Sequence, residues 1–270
     1  MKISNGVAKN LFDLKNKVIV LAGGLGLLGR DFAAALAGQN ARVVILDLAD
    51  PKKAAAILGT EAGAAAYLRA DVTDKKSLEK ARRIILRKWK KIDVLINNAG
   101  VTHKVEHLGR EKPRDWSFEN LDLADWNREI AVNLTGAMLC AQVFGAAMNK
   151  GGSIINLASV YGVVAPDQGI YQGSYRQPAA YGVTKAGIIY LTKFLASYWG
   201  KKGIRVNAIA PGGVENRQTR EFTKKYAART PLGRMAKLQE IGGAVVYLAS
   251  DASSYVAGAI INVDGGWTAW

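Results

Sequence analysis

The chain is poor in the residues that mark several protein classes. It has 1 cysteine, 6 prolines and 2 histidines in 270 residues. A disulfide-stapled scaffold needs paired cysteines, so that class is excluded. Collagen needs far more proline, and low-complexity disorder a far lower hydrophobic content than the 49% found here. No apolar run approaches the roughly 20 residues of a membrane-spanning helix. The longest, Val18 to Gly29, is interrupted by glycines. The opening segment MKISNGVAKNLFDLKNK has no continuous apolar stretch, which argues against a secretory signal. Cys140, alone within an apolar pattern, reads as a small buried hydrophobe in a reducing compartment. The expectation is a cytoplasmic protein with no membrane partner.

Acidic residues are few beside basic ones, 22 Asp and Glu against 37 Lys and Arg, a net charge of +15. Lys52/Lys53, Lys75/Lys76, Arg82/Arg83, the run Arg87 to Lys91, Lys201/Lys202 and Lys224/Lys225 are scattered, mostly at helical spacing between apolar positions. That is the pattern of solvated faces on amphipathic helices. A nucleic-acid-binding chain gathers its cations on one element among stacking or base-reading residues. The charge is therefore read as a general attraction for anions, without a nucleic-acid partner.

What the chain does have is a steady alternation of short apolar runs with longer helical patterns. Strands are expected at Val18–Leu21, Val43–Leu46, Ala65–Arg69, Ile92–Ile96, Ile154–Leu157, Val206–Ala210 and Ala259–Val263. Helices are expected near Leu27–Ala37, after Pro51, and at Lys75–Trp89, Leu123–Met148, Tyr181–Trp199 and Leu238–Ala249. Continuously apolar strands separated by helices predict an α/β doubly wound parallel sheet of Rossmann type. No linker, repeat or composition shift divides the chain, so residues 1–270 read as one domain with an N-terminal extension at 1–16. The polar stretches 101–122, 161–180 and 212–234 interrupt the rhythm after strands. Loops at the carboxyl ends of parallel strands form the ligand crevice, so these read as substrate-side loops.

After the first strand, Ala22-Gly23-Gly24-Leu25-Gly26-Leu27-Leu28-Gly29 opens directly into a helix. Glycines let the backbone approach a pyrophosphate, and free N–H groups at a helix start favour an anion. A plain strand-to-helix turn explains such a cluster too, but its place at the start of a βαβ unit favours the nucleotide. Asp47 ends the second strand, 18 residues after Gly29. A carboxylate there accepts from both adenosine ribose hydroxyls and repels a 2′-phosphate, unless it is merely a solvated strand end. No Lys or Arg follows at once, and Arg30 falls inside the helix, so the expected cofactor is NAD.

Tyr181 and Lys185 stand four apart, on one face of a helix. A free phenol has a pKa near 10, and lowering it by about 3 units takes about 4 kcal/mol of preference for the anion. A cation one turn away supplies part of that. Such a pair is common on helix surfaces, so its company matters: Ser159 just past the fifth strand, and Asn133 in the long helix before it.

Together with the glycine loop, Asp71 in Ala70-Asp71-Val72, Asn97-Asn98-Ala99-Gly100, Pro211-Gly212-Gly213 and Val263-Asp264-Gly265-Gly266, these residues resemble the short-chain dehydrogenase/reductase family over almost the whole chain. The resemblance implies roles. Tyr181 would be the acid/base, with Lys185 holding the nicotinamide ribose and depressing the phenol pKa. Ser159 would polarise the carbonyl, and Asn133 would position a water linking Lys185 to solvent. Gly23, Leu27, Leu28 and Gly29 would border the pyrophosphate, Asp71 and Val72 the adenine, Asn98 with Ala99 the adenosine ribose, and Gly212 to Val214 the nicotinamide. The sequence departs from the family's first motif, with Ala22 in place of its Thr and Leu27 in place of its middle Gly. The lost hydroxyl removes a local hydrogen bond worth about 1 kcal/mol. Ser159 and Tyr181 are also 22 residues apart, several more than in most members.

Within the family the ending Val263 to Trp270 and the loop Ala165 to Gln168 look most similar to sugar and sugar-acid members of the gluconate 5-dehydrogenase kind. The substrate-side stretches also carry His103, Lys104, His107, Arg110, Lys112, Arg114, Arg176, Arg217 and Arg220, with Gln168, Tyr171, Gln172, Ser174, Tyr175 and Asn216 among them. Arginine pairs with carboxylate or phosphate, and the neutral groups pair with hydroxyls. An anionic, polyhydroxylated substrate is expected, contacted by Ser159, Gln168, Tyr171, Arg176 and Arg217; ordinary solvated loop charges are the alternative. His103 and His107 have a spacing that suits zinc on a helix, but no third ligand is evident and no metal is expected. A nucleotide sensor without chemistry and an NADPH-dependent reductase of a non-sugar carbonyl are competing functions. The resemblance also implies a homotetramer built on the long helices, with Trp267 and Trp270 compatible.

Overall fold

The computed structural model describes residues 10–58, 65–102, 115–148, 151–173 and 175–270. His103, Lys104, His107, Arg110, Lys112, Arg114 and Ser174 lie outside the described residues, as does the start of the N-terminal extension. The strands are β1 (Val18–Ala22), β2 (Arg42–Asp47), β3 (Ala65–Arg69), β4 (Val94–Asn97), β5 (Gly152–Leu157), β6 (Ile204–Pro211) and β7 (Ile260–Val263). They form one seven-stranded parallel sheet in the order β3-β2-β1-β4-β5-β6-β7. The order reverses between β1 and β4, which is where an open parallel sheet leaves a crevice at its carboxyl edge.

The helices are α1 (Leu27–Gly38), α2 (Pro51–Leu58), α3 (Lys75–Trp89), α4 (Leu123–Glu129), α5 (Gly136–Cys140), α6 (Val160–Val163), α7 (Ala179–Trp199), α8 (Arg220–Arg229) and α9 (Gln239–Ala249). Side chains of successive strand residues alternate between the two faces. Ile19 and Leu21 pack with Phe32 and Leu36 of α1 and Ile241, Val245 and Leu248 of α9. Val18 and Val20 pack instead with Leu78 and Ile85 of α3, Phe144, and Leu195 and Trp199 of α7. Both faces of the sheet are covered, which is why its strands are mostly apolar and why buried Asn97, Ser153 and Asn156 hydrogen-bond within the protein.

Two expectations change. The long helix does begin at Leu123, but its hydrogen bonding widens to π turns at Ile130–Thr135 and Ala141–Gly145. Such turns are rare and recur at functional positions, and Asn133 lies within the first. The stretch 212–234 is not simply a loop. Thr219 accepts from the Phe222 amide and caps α8, whose Phe222 and Tyr226 bury one face. Within 161–180, α6 and a short 3-10 turn at Gln168–Ile170 precede α7.

Candidate active site

A cavity of about 800 Å³ runs along the carboxyl ends of β1, β2, β4, β5 and β6. At one end stands the glycine turn. Gly23 has φ of +75°, and a Cβ there would come within 2.5 Å of the Ala99 backbone, so no side chain fits. Asn98 Nδ2 donates to the Gly23 carbonyl at 2.7 Å and braces the turn from β4. The N-cap of α1, Gly26, offers no side-chain cap and no acidic residue fills the first turn. The leading N–H groups at Leu27 and Leu28 are thus left for a ligand, and both residues line the cavity. Leu27, where the family motif has a glycine, contributes wall without closing it.

Asp47 lines the same end. Its carboxylate accepts from the Leu25 amide at 3.1 Å and the Leu48 amide at 2.8 Å, which ties the glycine loop to the end of β2. Lone pairs remain on both oxygens for hydroxyl donors. Asp71, Val72, Ala99, Gly212 and Val214 also reach the cavity, whereas Arg30 is exposed and does not. Lys53, which the sequence offered only as one of the scattered solvated charges, also lines this cavity.

At the other end the proposed chemical groups come together. Ser159 is buried and caps α6, accepting from the Tyr161 amide at 3.2 Å. Gly162 lets α6 lie against the Lys185 backbone, where a Cβ would come within 2.5 Å. The Lys185 ammonium donates to the Leu157 carbonyl at 2.6 Å and lies 5.6 Å from the Tyr181 ring centre. Asn133 grips Val101, and a Cβ on Gly100 would lie 3.5 Å from Asn133 Oδ1 and 3.9 Å from Lys185 Nζ. Ser159, Tyr181 and Lys185 therefore line one wall of the cavity, and Asn133 stands behind it against Val101 and Gly100.

Burial raises the Tyr181 phenol above its usual value of 10.0, the Ser159 hydroxyl opposes that by hydrogen bonding, and the negative charge of Glu129 adds to the rise. The lowering expected from Lys185 is thus not the dominant effect in the protein alone. Burial brings the Lys185 ammonium down to about 8, while Glu129 works in the opposite direction. Glu129, one turn before Asn133 on α4, is buried and was not singled out in the sequence.

Phenols and amides line much of the substrate end, and among the described residues Arg128, not Arg176 or Arg217, is the arginine on the cavity wall. Tyr171 lies on this wall, and its hydroxyl pairs with Tyr161 at 2.9 Å and Gln177 at 3.2 Å. Tyr226 accepts from the Gly213 amide and also faces the cavity. Burial pushes the Tyr161 phenol up to about 12 and raises Tyr171 and Tyr226 as well, so all three stay neutral donors.

Arg176 and Arg217 do not reach this cavity. The Arg176 guanidinium is taken by the carbonyls of Gly173 and Tyr175. Arg217 sits exposed at a left-handed turn with φ of 61°. Gln168 clasps the backbone of Gln177 on both sides and faces a second, smaller cavity. Tyr161, Gln177, Phe222, Tyr226 and Met235 take their place on the main wall. The Phe222/Tyr226 pair, four apart on a capped helix, was the available signal for α8; nothing local marked Tyr161.

Comparison with known proteins agrees with this geometry. The family model described as enoyl-(acyl carrier protein) reductase matches residues 26–268. D-threitol dehydrogenase of Mycolicibacterium smegmatis is 35% identical over 269 residues, covering 95% of this chain and 95% of that protein. The crystal structure of a short-chain dehydrogenase from Leptospira borgpetersenii with bound NAD+ superposes with a TM-score of 0.86 at 32% identity, covering 99% of each chain. A gluconate 5-dehydrogenase from Burkholderia cenocepacia in complex with NADP and tartrate gives 0.83 at 29% identity, covering 96% of this chain and 98% of that one. With its parallel sheet, its glycine turn and its Ser159, Tyr181 and Lys185 on one wall, the chain belongs to the short-chain dehydrogenase/reductase family of oxidoreductases acting on CH–OH groups.

Proposed function

We propose that this enzyme is NAD(H)-dependent and acts on a secondary alcohol or ketone of a polyhydroxylated, anionic small molecule, a sugar acid or sugar phosphate. The observation that carries the reading is the single cavity with Tyr181, Ser159 and Lys185 at one end and Asp47 with an uncapped helix start at the other. The glycine turn, where a Cβ would strike Ala99, fits a dinucleotide backbone, and Asp47 fits two ribose hydroxyls. Bound nicotinamide would supply the hydride chemistry. Tyr181 takes the alcohol proton in oxidation and returns it in reduction. Ser159 hydrogen-bonds the substrate oxygen, Lys185 favours the phenolate by its charge, and Asn133 holds the wall on which Lys185 sits.

The phenols of Tyr161, Tyr171 and Tyr226 and the amide of Gln177 suit a substrate with several hydroxyls. Threitol and tartrate, named with two relatives, share that feature and differ in charge. Arg128 is a cation on the described cavity wall that supports the anionic half of the reading. Lys53 favours a second reading, NADP as cofactor, because it stands where the adenosine end opens beside Asp47.

The test is turnover of gluconate and hexose phosphates against neutral polyols, with NAD and with NADP, followed by absorbance of the reduced nicotinamide. Tyr181→Phe should abolish hydride transfer while NADH still binds. Equal activity on neutral polyols removes the anion, and retained turnover in the Phe variant removes Tyr181 as the acid/base.

A further inference from the structure

Glu129 is 3% exposed, and its Oε2 has no hydrogen-bond partner among the described residues. A carboxylate out of water is costly, and the neighbouring Thr102 hydroxyl offsets only part of that cost, so such a group either neutralises or has a task. It lies one helical turn before Asn133, whose amide reaches the same Gly100 position as the Lys185 ammonium. Its like-charged neighbour on the same helix is Asp125, and its cations are Arg128 on α4 and Lys185 on α7.

Glu129 also lines the second cavity, of about 360 Å³, which opens between the starts of α4 and α7. Tyr161 and Gln177 stand on the walls of both cavities, and Ala180 and Gly182, flanking Tyr181, line the smaller one. Asp115, Arg176 and Tyr161 are the other titratable or charged groups facing it from the loops and from α6. The carboxyl thus stands between the catalytic wall and a separate opening.

We propose that Glu129 passes the proton between the Tyr181–Lys185 pair and water entering through the second cavity. This rests on the dehydrogenase reading above. In oxidation the alcohol hydroxyl proton goes to the Tyr181 phenolate, while a bound nicotinamide would accept the hydride. Lys185 gives a proton to the Glu129 carboxylate and regains one from Tyr181. Glu129 then releases its proton to water or buffer, and reduction runs the same path backwards. Glu129 acts through Lys185 and touches neither substrate nor cofactor. Its carboxyl, raised to about 7 by burial, and the Lys185 ammonium, lowered to about 8, are matched closely enough for a proton to move either way.

Glu129→Gln and Glu129→Asp test this in the full-length protein. For alcohol oxidation, wild-type kcat should rise as pH passes about 7, because the acceptor is the ionised carboxylate. The Gln variant should lose that rise and fall about tenfold or more at neutral pH, with KM and NADH affinity within about twofold of wild type. Added formate or imidazole should restore its rate, and the Asp variant should keep the pH dependence. Infrared titration of the cofactor-free protein should show a protonated carboxyl band that the Gln variant lacks. An unchanged pH profile in the Gln variant overturns the proposal. So does a loss of rate that tracks a loss of folding or NADH affinity and ignores buffer, or a wild-type infrared titration without that band. Failure here leaves wild-type turnover and its dependence on Tyr181 intact, which separates it from failure of the dehydrogenase reading.

Discussion

Asn133 holds both backbone groups of Val101: its Nδ2 donates to the Val101 carbonyl at 2.9 Å, and its Oδ1 accepts from the Val101 amide at 2.7 Å. This clasp joins the end of β4 to the π turn of the long helix and keeps the wall at Gly100 beside Lys185. Asn133→Ala leaves two backbone groups unpaired in a part-buried place, a cost of about 1–3 kcal/mol for each group that water does not reach. The expected outcome is a fall of several degrees in Tm by calorimetry. The loss in kcat/KM should exceed what unfolding explains. Asn133→Asp, which keeps the acceptor but loses the donor, should retain part of the stability.

Most of the architecture was legible because the strands are buried on both faces and read as plain apolar runs. Ala65–Arg69 and Lys75–Trp89 have the ends expected from the sequence, the second because Asp74 caps it by accepting from the Lys76 amide. Ser159, Tyr181, Lys185 and Asn133 were found because, together with the glycine motifs, they resemble the short-chain dehydrogenase/reductase pattern; spacing alone marked only a Tyr181/Lys185 pair of a common kind. Side-chain direction was not legible. Arg176 looked like an anion ligand, but the carbonyls of Gly173 and Tyr175 in its own loop take its guanidinium. In α8 the charged run REFTKKYAAR hid two aromatics behind the pattern of a loop. Glu129 drew no notice because a single carboxylate on a helix is ordinarily solvated, and only the packing of α4 against α7 buries it.

The proposed cofactor choice rests on opposite charges at the adenosine end, Asp47 and Lys53. Asp47→Ser removes the carboxylate that would repel a 2′-phosphate and leaves Lys53 able to attract one. NAD affinity should fall and NADP affinity rise, shifting the ratio of kcat/KM values by about tenfold or more, or roughly 1.4 kcal/mol. Lys53→Ala should lower NADP turnover and spare NAD. If wild type prefers NADP and Lys53→Ala abolishes that preference, the second reading stands and Asp47 is only a brace for the glycine loop.

The burial of Glu129 predicts a pH-dependent stability that activity does not enter. Its carboxyl is raised from 4.5 to about 7 by burial, with Asp125 adding and Thr102, Arg128 and Lys185 opposing. The folded state therefore holds the proton more tightly than the unfolded one. Stability from this group is fully present below about 4.5 and is lost as pH rises to about 7. Glu129→Gln never ionises and escapes that loss. Its Tm should match wild type at low pH and exceed it above neutrality, by up to about 3 kcal/mol in unfolding free energy. Parallel curves across the range would place the carboxylate in water rather than in the protein.

The outer face of α7 carries Tyr190, Phe194 and Tyr198, 71%, 53% and 64% exposed, each one turn beyond the last. The rings of Phe194 and Tyr198 stack at 6.0 Å with planes 9° apart, so the strip is ordered as well as apolar. Trp270 is a further exposed aromatic, at 79%, while Trp267 is buried against Tyr226 within the chain and is spoken for. Large aromatics in a continuous strip are the usual anchors of an interface, and a two-fold axis through α7 would bring each strip onto its copy. A Phe194→Asp, Tyr198→Asp double variant places four like charges in such an interface, because each substitution occurs on both copies. Size-exclusion chromatography with light scattering should show wild type as an oligomer and the double variant as a smaller species at the same concentration. Tyr181 chemistry lies on the opposite flank of the helix, so hydride transfer should persist in whatever fraction stays folded. A wild type that elutes as a monomer, or a double variant that elutes unchanged, removes this face as the assembly surface.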